Sequence, residues 1–346
     1  MQKDVTEGEA VVTIFEQEKI SKELPVFYNP IMKMNRDISI LLLNALDKKG
    51  MVIADSLAGS GVRAIRFLKE LNKDIIKDLH INDYSEAAVG LIKKNLLQNN
   101  LKDDERVCLS CEDVNLFMIK SRGFHYIDID PFGSPNSFLD CALKKIAREG
   151  ILAVTATDTS ALCGTYPKAC RRKYWAEPKR DELMHETGIR ILIRKVQLIG
   201  AQYDKAMTPV FSYSKDHYMR IFFMCRKGKS HVDAMQKLHM IFNCCGPLWT
   251  GQLWDSKLAK EIMESNKDDK LSKFLEVIYE ESKIRTVGFY QLHAFCKLHK
   301  LKIKKTCVIK DAIIKKGFRV SDTHFSPYGI RSDIGEGELR ELITNL

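Results

Sequence analysis

Residues 51–71 read MVIADSLAGSGVRAIRFLKEL. The apolar run MVIAD predicts a short buried strand, LAGSG is a turn of small residues, and GVRAIRFLKEL has the apolar spacing of a helix. Glycines in such a turn let the backbone approach a ligand, and the N-terminus of the next helix favours the ligand's anionic end. The turn lacks the complete G-x-G-x-x-G dinucleotide pattern, so on its own it is equally well an ordinary tight turn.

The alternation of strand and helix continues on both sides of this stretch. The predicted strands are 51–55, 79–83, 106–113, 125–130, 151–158, 208–214 and 217–225. The last two lie too close together for a helical crossover, so they should pair antiparallel. We therefore predict the fold class α/β, with a seven-stranded mixed sheet. By analogy, this architecture resembles the class I Rossmann-like methyltransferase fold. The alternation stops near residue 228, which predicts one domain over 1–228 and a second over 229–346.

The second domain is predicted to be smaller and mainly helical. Three short helices are expected at 271–282, 286–301 and 306–316, followed by a strand-like stretch at 318–325. Thr306 is the predicted N-cap of the third helix and Gly317 its left-handed stop. This is the winged-helix plan, which both nucleic-acid binding and protein docking use.

The chain is basic, with 55 Lys and Arg against 45 Asp and Glu, a net charge of +10. Clustered positive charge indicates a polyanionic partner, whereas the alternative is a solvated lysine face. One cluster spans 166–180, where Tyr166, Tyr174 and Trp175 are interleaved with basic residues, and a second spans 297–319. The residues expected to bind the polyanion are Lys168, Arg171, Arg172, Lys173, Lys304 and Lys305.

No apolar run approaches the roughly 18 residues that span a bilayer, and the N-terminus MQKDVTEGEA is unlike a signal peptide. We therefore expect a cytoplasmic protein without membrane contact. Ten cysteines without regular spacing predict reduced, mostly buried thiols, including Cys108 and Cys111. His293, Cys296 and His299 have helical spacing and are expected to lie on a helix face, so no metal site is predicted.

Acidic residues follow three successive predicted strands: Asp55, Asp83 and the pair Glu112-Asp113. The carboxyl ends of parallel strands meet at one crevice, where open α/β sheets bind ligands. Asp83 has the spacing from Gly61 at which an acid accepts hydrogen bonds from ribose hydroxyls, and an acid at Asp113 can accept from an adenine amine. The alternative is that these acids cap helices or form turns.

The sharpest pattern is Asp130-Pro131-Phe132 at the end of the fourth strand. This turn places a carboxylate, a carbonyl and an aromatic face around one planar group, as a nucleobase amine requires. The exocyclic nitrogen is a poor nucleophile because its lone pair is delocalised. An enzyme must therefore accept a hydrogen bond from its N–H group and orient the lone pair towards a methyl donor. The alternative is an ordinary proline turn.

The chain resembles the archaeal and eukaryotic tRNA (guanine-26, N2)-dimethyltransferases over nearly its whole length. The motifs that carry the resemblance are IFEQ, FYNPIMKMNRDIS, YIDIDPFGSPNSFLDCAL, VTATDTSALCGTYPKACRRKYWAEP, HETGIRILI, YSKDHYMRIFF, CGPLWTGQLWD and VSDTHFSPYGIRSD. The resemblance implies transfer of two methyl groups from S-adenosylmethionine to the N2 amine of a guanine in tRNA. It names tRNA as the partner, and no obligate protein partner is evident.

The resemblance also implies roles for individual residues. Asp130 resembles the catalytic carboxylate, and Phe27 and Phe132 resemble the pair that sandwiches the flipped base. The residues expected at the cofactor are Arg36, Asp55, Gly59, Gly61, Arg63, Asp83, Asp113 and Val114. Three features depart from the family pattern. Val114 replaces the usual alanine, and the first loop reads LAGSGVR in place of an Ala-Thr-Gly form. The zinc-binding Cys-x-x-Cys pair that many members carry is missing, leaving adjacent Cys244 and Cys245.

Two other functions are compatible with these residues. One is an amino-methyltransferase acting on adenine in DNA or ribosomal RNA, since Asp-Pro-x-aromatic turns serve exocyclic amines in general. The other is a non-catalytic RNA-binding protein that keeps a cofactor fold, although the set of acids makes this less favoured. The methylated nucleoside would separate the first from guanine modification, and cofactor binding without turnover would indicate the second.

Overall fold

The computed structural model describes residues 2–15 and 26–346, so Glu16 and Gln17 of the IFEQ motif lie outside the described residues. The chain divides into two compact units. One comprises Met1–Asp158, Val196–Thr208 and Arg220–Met235, and the other Thr159–Lys195, Pro209–Met219 and Gln236–Leu346. Because the chain passes between the units several times, a single cut does not separate them, and the boundary expected at residue 228 stays a prediction.

The strands are β1 (Gln2–Glu7), β2 (Ala10–Phe15), β3 (Met51–Asp55), β4 (Ile76–Asn82), β5 (Val107–Ser110), β6 (Phe124–Ile129), β7 (Ile146–Ala156), β8 (Lys205–Lys215), β9 (Tyr218–Lys227), β10 (His239–Phe242), β11 (Cys245–Trp249), β12 (Tyr290–Gln291), β13 (Val320–Thr323) and β14 (Ser326–Ser332).

A 3-10 turn (Pro30–Met32) precedes the first helix. The helices are α1 (Lys33–Leu46), α2 (Val62–Glu70), α3 (Glu86–Gln98), α4 (Val114–Lys120), α5 (Asn136–Lys145), α6 (Thr159–Leu162), α7 (Pro167–Tyr174), α8 (Met184–Ala201), α9 (Lys229–Gln236), α10 (Ser256–Ser265), α11 (Asp269–Ser282), α12 (Leu292–Leu298), α13 (Thr306–Lys315) and α14 (Glu336–Thr344).

The main sheet has seven strands in the order β5-β4-β3-β6-β7-β9-β8. Its first five strands are parallel, with β3 paired to both β4 and β6. Strands β8 and β9 are neighbours joined by two residues, a connection that only antiparallel strands can make. The expected seven-stranded mixed sheet is confirmed, and its order reverses next to β3, where such sheets bind ligands.

The sheet core is built from apolar strands covered on both faces. Residues 151–154 of β7 read ILAV and are entirely buried, as expected for a central parallel strand. The N-terminal hairpin of β1 and β2 packs on α3. There the side-chain amide of Asn95 accepts a hydrogen bond from the Thr13 N–H at 2.8 Å and donates one to the Thr13 carbonyl at 3.1 Å. These bonds fix the hairpin that carries Glu7.

Several element ends differ from the sequence prediction. Strand β5 stops at Ser110 instead of extending to residue 113, because Asp113 already serves as the N-cap of α4. The predicted helix at 286–301 is reduced to α12, preceded by the short strand β12. In both cases, residues that apolar periodicity assigned to a longer element belong instead to a helix cap, a turn or a short strand.

The second unit contains the expected winged-helix plan. Strands β12, β14 and β13 form a three-stranded sheet beside α11, α12 and α13. Gly317 has φ of 89°, which confirms it as the left-handed residue after α13. The expectation that Thr306 caps α13 is wrong: Lys305 is the N-cap, and Thr306 is already helical. Lys305 has the extended backbone of a cap, so the helix starts one residue earlier than the capping residue type of Thr306 suggested.

Six cysteines are buried and four are exposed. The expectation that Cys108 and Cys111 are buried is wrong, since both are exposed. Strand β5 is the edge of the sheet and Cys111 lies just beyond its end, so neither thiol is covered. Within residues 2–15 and 26–346, no helix is long and apolar enough to cross a membrane.

Candidate active site

The turn between β3 and α2 is held in a shape that glycine favours. Gly59 has φ of 53° and Gly61 φ of 77°, both in the left-handed region. A Cβ on Gly59 would lie 2.9 Å from the Phe27 carbonyl oxygen, so the 26–29 segment passes directly over the turn. Gly61 is the N-cap of α2. The turn therefore brings Phe27 to the crevice and presents a helix N-terminus there.

Asp83 and Asp113 both have structural partners. Asp83 accepts the Gly59 N–H at 2.8 Å and the Ser85 N–H at 3.0 Å, while Asp113 caps α4 through one oxygen. The turn-and-cap alternative thus describes their contacts in this structure. A carboxylate has about four acceptor positions, so each acid can also accept from a bound ligand. Val114, the first residue of α4, is buried beside Asp113.

Asp55 is a buried acid at the end of β3. Burial, helped by the nearby carboxylates of Asp128 and Asp130 and opposed by Arg63, raises its pKa to about 7. Its Oδ2 is buried and has no hydrogen-bond partner in the described part of the chain. An unsatisfied carboxylate oxygen of this kind favours a cationic donor such as an ammonium group.

Arg63 and Asp130 form the centre of the site. The Nη2 of Arg63 donates to Asp130 Oδ2 at 2.5 Å and to Asn35 Oδ1 at 3.0 Å, and its Nη1 donates to Ser39 Oγ at 3.1 Å. The Asp130 side chain keeps 17% exposure. Its other oxygen accepts from no residue in the described ranges. Asp130 is therefore held by one oxygen and open at the second.

A second charged layer lies under this pair. Arg220 is fully buried and donates to both oxygens of Asp128, at 3.0 and 2.6 Å, and the Tyr126 hydroxyl donates to Oδ2 at 2.6 Å. Burial raises the pKa of Asp128, but Arg220 and Arg63 outweigh it and hold the pKa below its usual value. Sequence reasoning missed this pair, although Arg220 lies in the quoted motif YSKDHYMRIFF and Asp128 in YIDIDPFGSPNSFLDCAL.

Arg36 is anchored by an acid that sequence reasoning also missed. Its guanidinium donates to both oxygens of Glu7, at 2.6 and 2.5 Å, and to the Asn29 carbonyl at 3.1 Å. Glu7 also accepts from Arg66 at 2.9 Å and from the Tyr28 hydroxyl at 3.0 Å. Burial alone would raise the pKa of Glu7, yet the two arginines lower it to about 2.

The two aromatic rings expected to hold the base are in direct contact in this structure. The rings of Phe27 and Phe132 meet edge to face, with centroids 4.1 Å apart and planes at 71°. Phe132 is 43% exposed, and the turn after it is fixed by a 2.7 Å bond from the Gly133 N–H to Thr157. A planar group can lie between the two rings only if they move apart.

The predicted basic residues lie in the second unit. Lys168, Arg171, Arg172 and Lys173 are all exposed on α7, where Arg171 is paired with Glu177. At the start of α13, Lys305 is exposed and Lys304 is half-buried. Both clusters are thus accessible to a polyanion.

The first unit thus combines two kinds of group in one crevice. A glycine turn, a helix N-terminus and the acids Asp55, Asp83 and Asp113 suit a ligand that has an ammonium group, a ribose and an aminopurine. Beside them, the open oxygen of Asp130 and two aromatic rings suit a planar amine. Such an arrangement can orient an amine nitrogen next to a bound cofactor.

Comparison with known proteins gives consistent results. A family described as N2,N2-dimethylguanosine tRNA methyltransferase matches residues 8–246 and 238–344. The chain is 38% identical to a tRNA (guanine(26)-N(2)/guanine(27)-N(2))-dimethyltransferase of Aquifex aeolicus, over 99% of this chain and 96% of the relative. It is 37% identical to a tRNA (guanine(26)-N(2))-dimethyltransferase of Pyrococcus abyssi, over 95% of each. A solved structure of Trm1 from Pyrococcus horikoshii with S-adenosyl-L-methionine has a TM-score of 0.88 and 34% identity, covering 99% of both chains.

Proposed function

The chain belongs to the N2,N2-dimethylguanosine tRNA methyltransferase family, and from this premise we propose that it dimethylates the N2 amine of guanine 26 in tRNA. The observation that supports this activity most directly is Asp130. One of its oxygens is held by Arg63 and the other is open beside Phe27 and Phe132. That arrangement suits an exocyclic amine stacked against an aromatic ring.

The residues of the crevice fit S-adenosylmethionine, which supplies an electrophilic methyl group on its sulfonium when bound. The buried, unpartnered oxygen of Asp55 suits the ammonium of the methionine moiety. Arg36, charged and fixed by Glu7, suits the carboxylate by charge-assisted pairing. Asp83 and Asp113 keep acceptor positions for ribose hydroxyls and the adenine amine, and Val114 is buried beside Asp113.

The target base must leave its stack to reach this site, at a cost of a few kcal/mol. Phe27 and Phe132 separate and stack on the base, and base stacking is worth about 1–3 kcal/mol. The open oxygen of Asp130 then accepts a hydrogen bond from one N–H group of the amine. This bond orients the nitrogen lone pair and provides an acceptor for the proton as the new C–N bond forms.

Arg63 has a positioning role in this scheme. It bonds Asp130 and Asn35 through the same nitrogen, and it approaches Asp128 at 3.3 Å. Asp128 is in turn fixed by Arg220, so the orientation of Asp130 depends on a buried chain of alternating charges. For a second transfer, the monomethylated amine rotates so that its remaining N–H faces Asp130.

The substrate contacts are assigned to the two basic clusters. The cations of α7 and those near the start of α13 bind tRNA phosphates, and residues 229–346 act as the tRNA-binding domain. The proposed place of action is the cytoplasm, where tRNA substrates are found. Because these contacts are electrostatic, affinity for tRNA should fall steeply as salt rises.

The activity can be tested with two tRNA transcripts that differ only in the N2 amino group of the base at position 26. A transcript with guanine at position 26 should accept labelled methyl groups, whereas one with inosine at that position lacks the N2 amine and should accept none. Equal labelling of both transcripts would refute transfer to this amine. Residual label at guanine 27 would instead match the specificity named for the Aquifex relative.

A further inference from the structure

Helix α7 has exposed aromatic residues at both of its ends. Tyr166, the N-cap, is 63% exposed, and Trp175, the C-cap, is 50% exposed. The other two tryptophans, Trp249 and Trp254, are 5% and 4% exposed. Large aromatic residues are usually well covered, so this exposed tryptophan is available for a partner.

Trp175 is held in place rather than projecting freely. Its backbone has φ of 56°, in the left-handed region, its N–H donates to the Arg171 carbonyl at 3.1 Å, and its carbonyl accepts from Arg194 at 3.2 Å. The Nζ of Lys195 lies 3.0 Å from the ring centroid. A buried cation therefore covers one face of the ring, while half of the residue's surface stays open to solvent.

The surface around the ring is positively charged. Arg172 and Lys173 on α7 are exposed, as are Lys179 and Arg180 just beyond Trp175. Arg171 is paired with Glu177. A partner that fits this surface must combine negative charge with flat apolar faces, and nucleic acid combines both because every base has a π face next to a phosphate. An acidic peptide offers the charge without the flat faces.

We propose that Trp175, backed by Lys195, is a stacking platform for an unpaired base of the tRNA, with the cations of α7 on the adjoining phosphates. This inference rests on the proposed tRNA substrate. The cation behind the ring strengthens the platform, because its contact with the ring fixes the indole before the base arrives. The platform contributes to docking of tRNA and is separate from the aromatic pair Phe27 and Phe132 that faces the reacting amine.

The sharpest test uses two substitutions that differ in planarity. Trp175→Phe keeps a flat ring, whereas Trp175→Leu keeps apolar bulk without one. We expect Trp175→Leu to raise the dissociation constant for tRNA about tenfold, and Trp175→Phe to raise it by about threefold or less. Affinity for S-adenosylhomocysteine should be unchanged in both. Equal tRNA affinity in wild type and Trp175→Leu would overturn the proposal.

An intrinsic signal provides a second measurement on the unmodified chain. Trp175 is the exposed tryptophan of the three, so stacking of a base on it should quench tryptophan fluorescence when tRNA is added. Trp175→Phe should lose that quenching while it still binds tRNA. Quenching that persists in Trp175→Phe would contradict the platform. Quenching by polyglutamate equal to that by tRNA would also contradict it, in favour of an acidic peptide.

The failure of this proposal is distinguishable from failure of the proposed function. Wild-type methyl transfer to tRNA transcripts is measured first. If transfer occurs but Trp175→Leu behaves as wild type, only the platform is refuted. If wild type transfers no methyl group to tRNA, the proposed substrate is refuted and the platform falls with it.

Discussion

The two carboxylate oxygens of Asp130 have different roles. One is bound to Arg63 and the other is open to a substrate amine. Asp130→Asn keeps the size of the side chain but places an amide where the amine needs an acceptor. We expect methyl transfer in single-turnover assays to fall by about 10²- to 10⁴-fold.

The same variant should bind S-adenosylhomocysteine and tRNA nearly as tightly as wild type, as calorimetry and filter binding can measure. This expectation follows from the placement of Asp130 at the amine rather than at the cofactor. A large loss of cofactor affinity in Asp130→Asn, with transfer reduced only in proportion, would count against its role as the acceptor of the amine proton.

Asp55 predicts a pH dependence of cofactor binding. Its pKa is raised to about 7, so in the free protein the carboxyl is mostly protonated below that pH. An ammonium group pairs with the ionised form, and binding therefore improves as pH rises. Between pH 5.5 and 7 we expect affinity for S-adenosylhomocysteine to increase about tenfold in wild type. Calorimetry should find a flat profile in Asp55→Asn, and a parallel rise in both proteins would contradict the assignment.

The N-terminal hairpin links two helices through Glu7. Strand β1 ends at Glu7, which bonds Arg36 on α1 and Arg66 on α2. The pKa of Glu7 is lowered to about 2, so its ionised form stabilises the folded state above its unfolded pKa of about 4.5. That contribution, about 3 kcal/mol, is lost as pH falls from about 4.5 towards 2.

The expected consequence concerns both stability and the cofactor. Glu7→Gln should lower the melting temperature at pH 7, and the difference from wild type should shrink below about pH 4. It should also weaken binding of S-adenosylhomocysteine, because Arg36 loses its anchor. Glu9→Gln, an exposed residue in the same hairpin, is the matched control. A Glu7→Gln protein with wild-type stability at pH 7 would refute the anchoring role.

Elements with local signals could be predicted from the sequence. The seven strands, the glycine turn and the wing have apolar periodicity or turn residues that are visible within a few positions. The pairs Glu7 with Arg36 and Asp128 with Arg220 could not be predicted in the same way. Each joins residues far apart in the chain, and nothing near Glu7 distinguishes it from the other acids of the N-terminus.

The acids at the strand ends could be predicted in part. Their position at the crevice follows from the strand pattern, whereas their present partners do not. Asp83 holds the Gly59 turn and Asp113 caps α4, contacts that depend on backbone geometry after each strand ends. Arg63, expected at the cofactor, lies against Asp130 because α2 begins and β6 ends at the same edge of the sheet.

At the scale of the whole molecule, the net charge of +10 is concentrated in accessible clusters. Binding of tRNA should therefore release counterions, and the logarithm of affinity should fall linearly with the logarithm of salt. Arg172→Gln should reduce this slope by about one unit if Arg172 contacts a phosphate. Lys257→Gln, on α10 outside both clusters, should leave the slope unchanged. Equal slopes in wild type and Arg172→Gln would remove α7 from the phosphate-binding surface.

We propose that this chain places methyl groups on the N2 amine of guanine 26. The most direct test is to incubate the purified protein with S-adenosylmethionine and unmodified tRNA transcripts, then digest the RNA and identify the nucleosides by mass spectrometry. Wild type should produce N2,N2-dimethylguanosine at position 26, and Asp130→Asn should produce at most about 1% as much. Methyladenosine as the product, or no methylated nucleoside at all from wild-type protein, would contradict it.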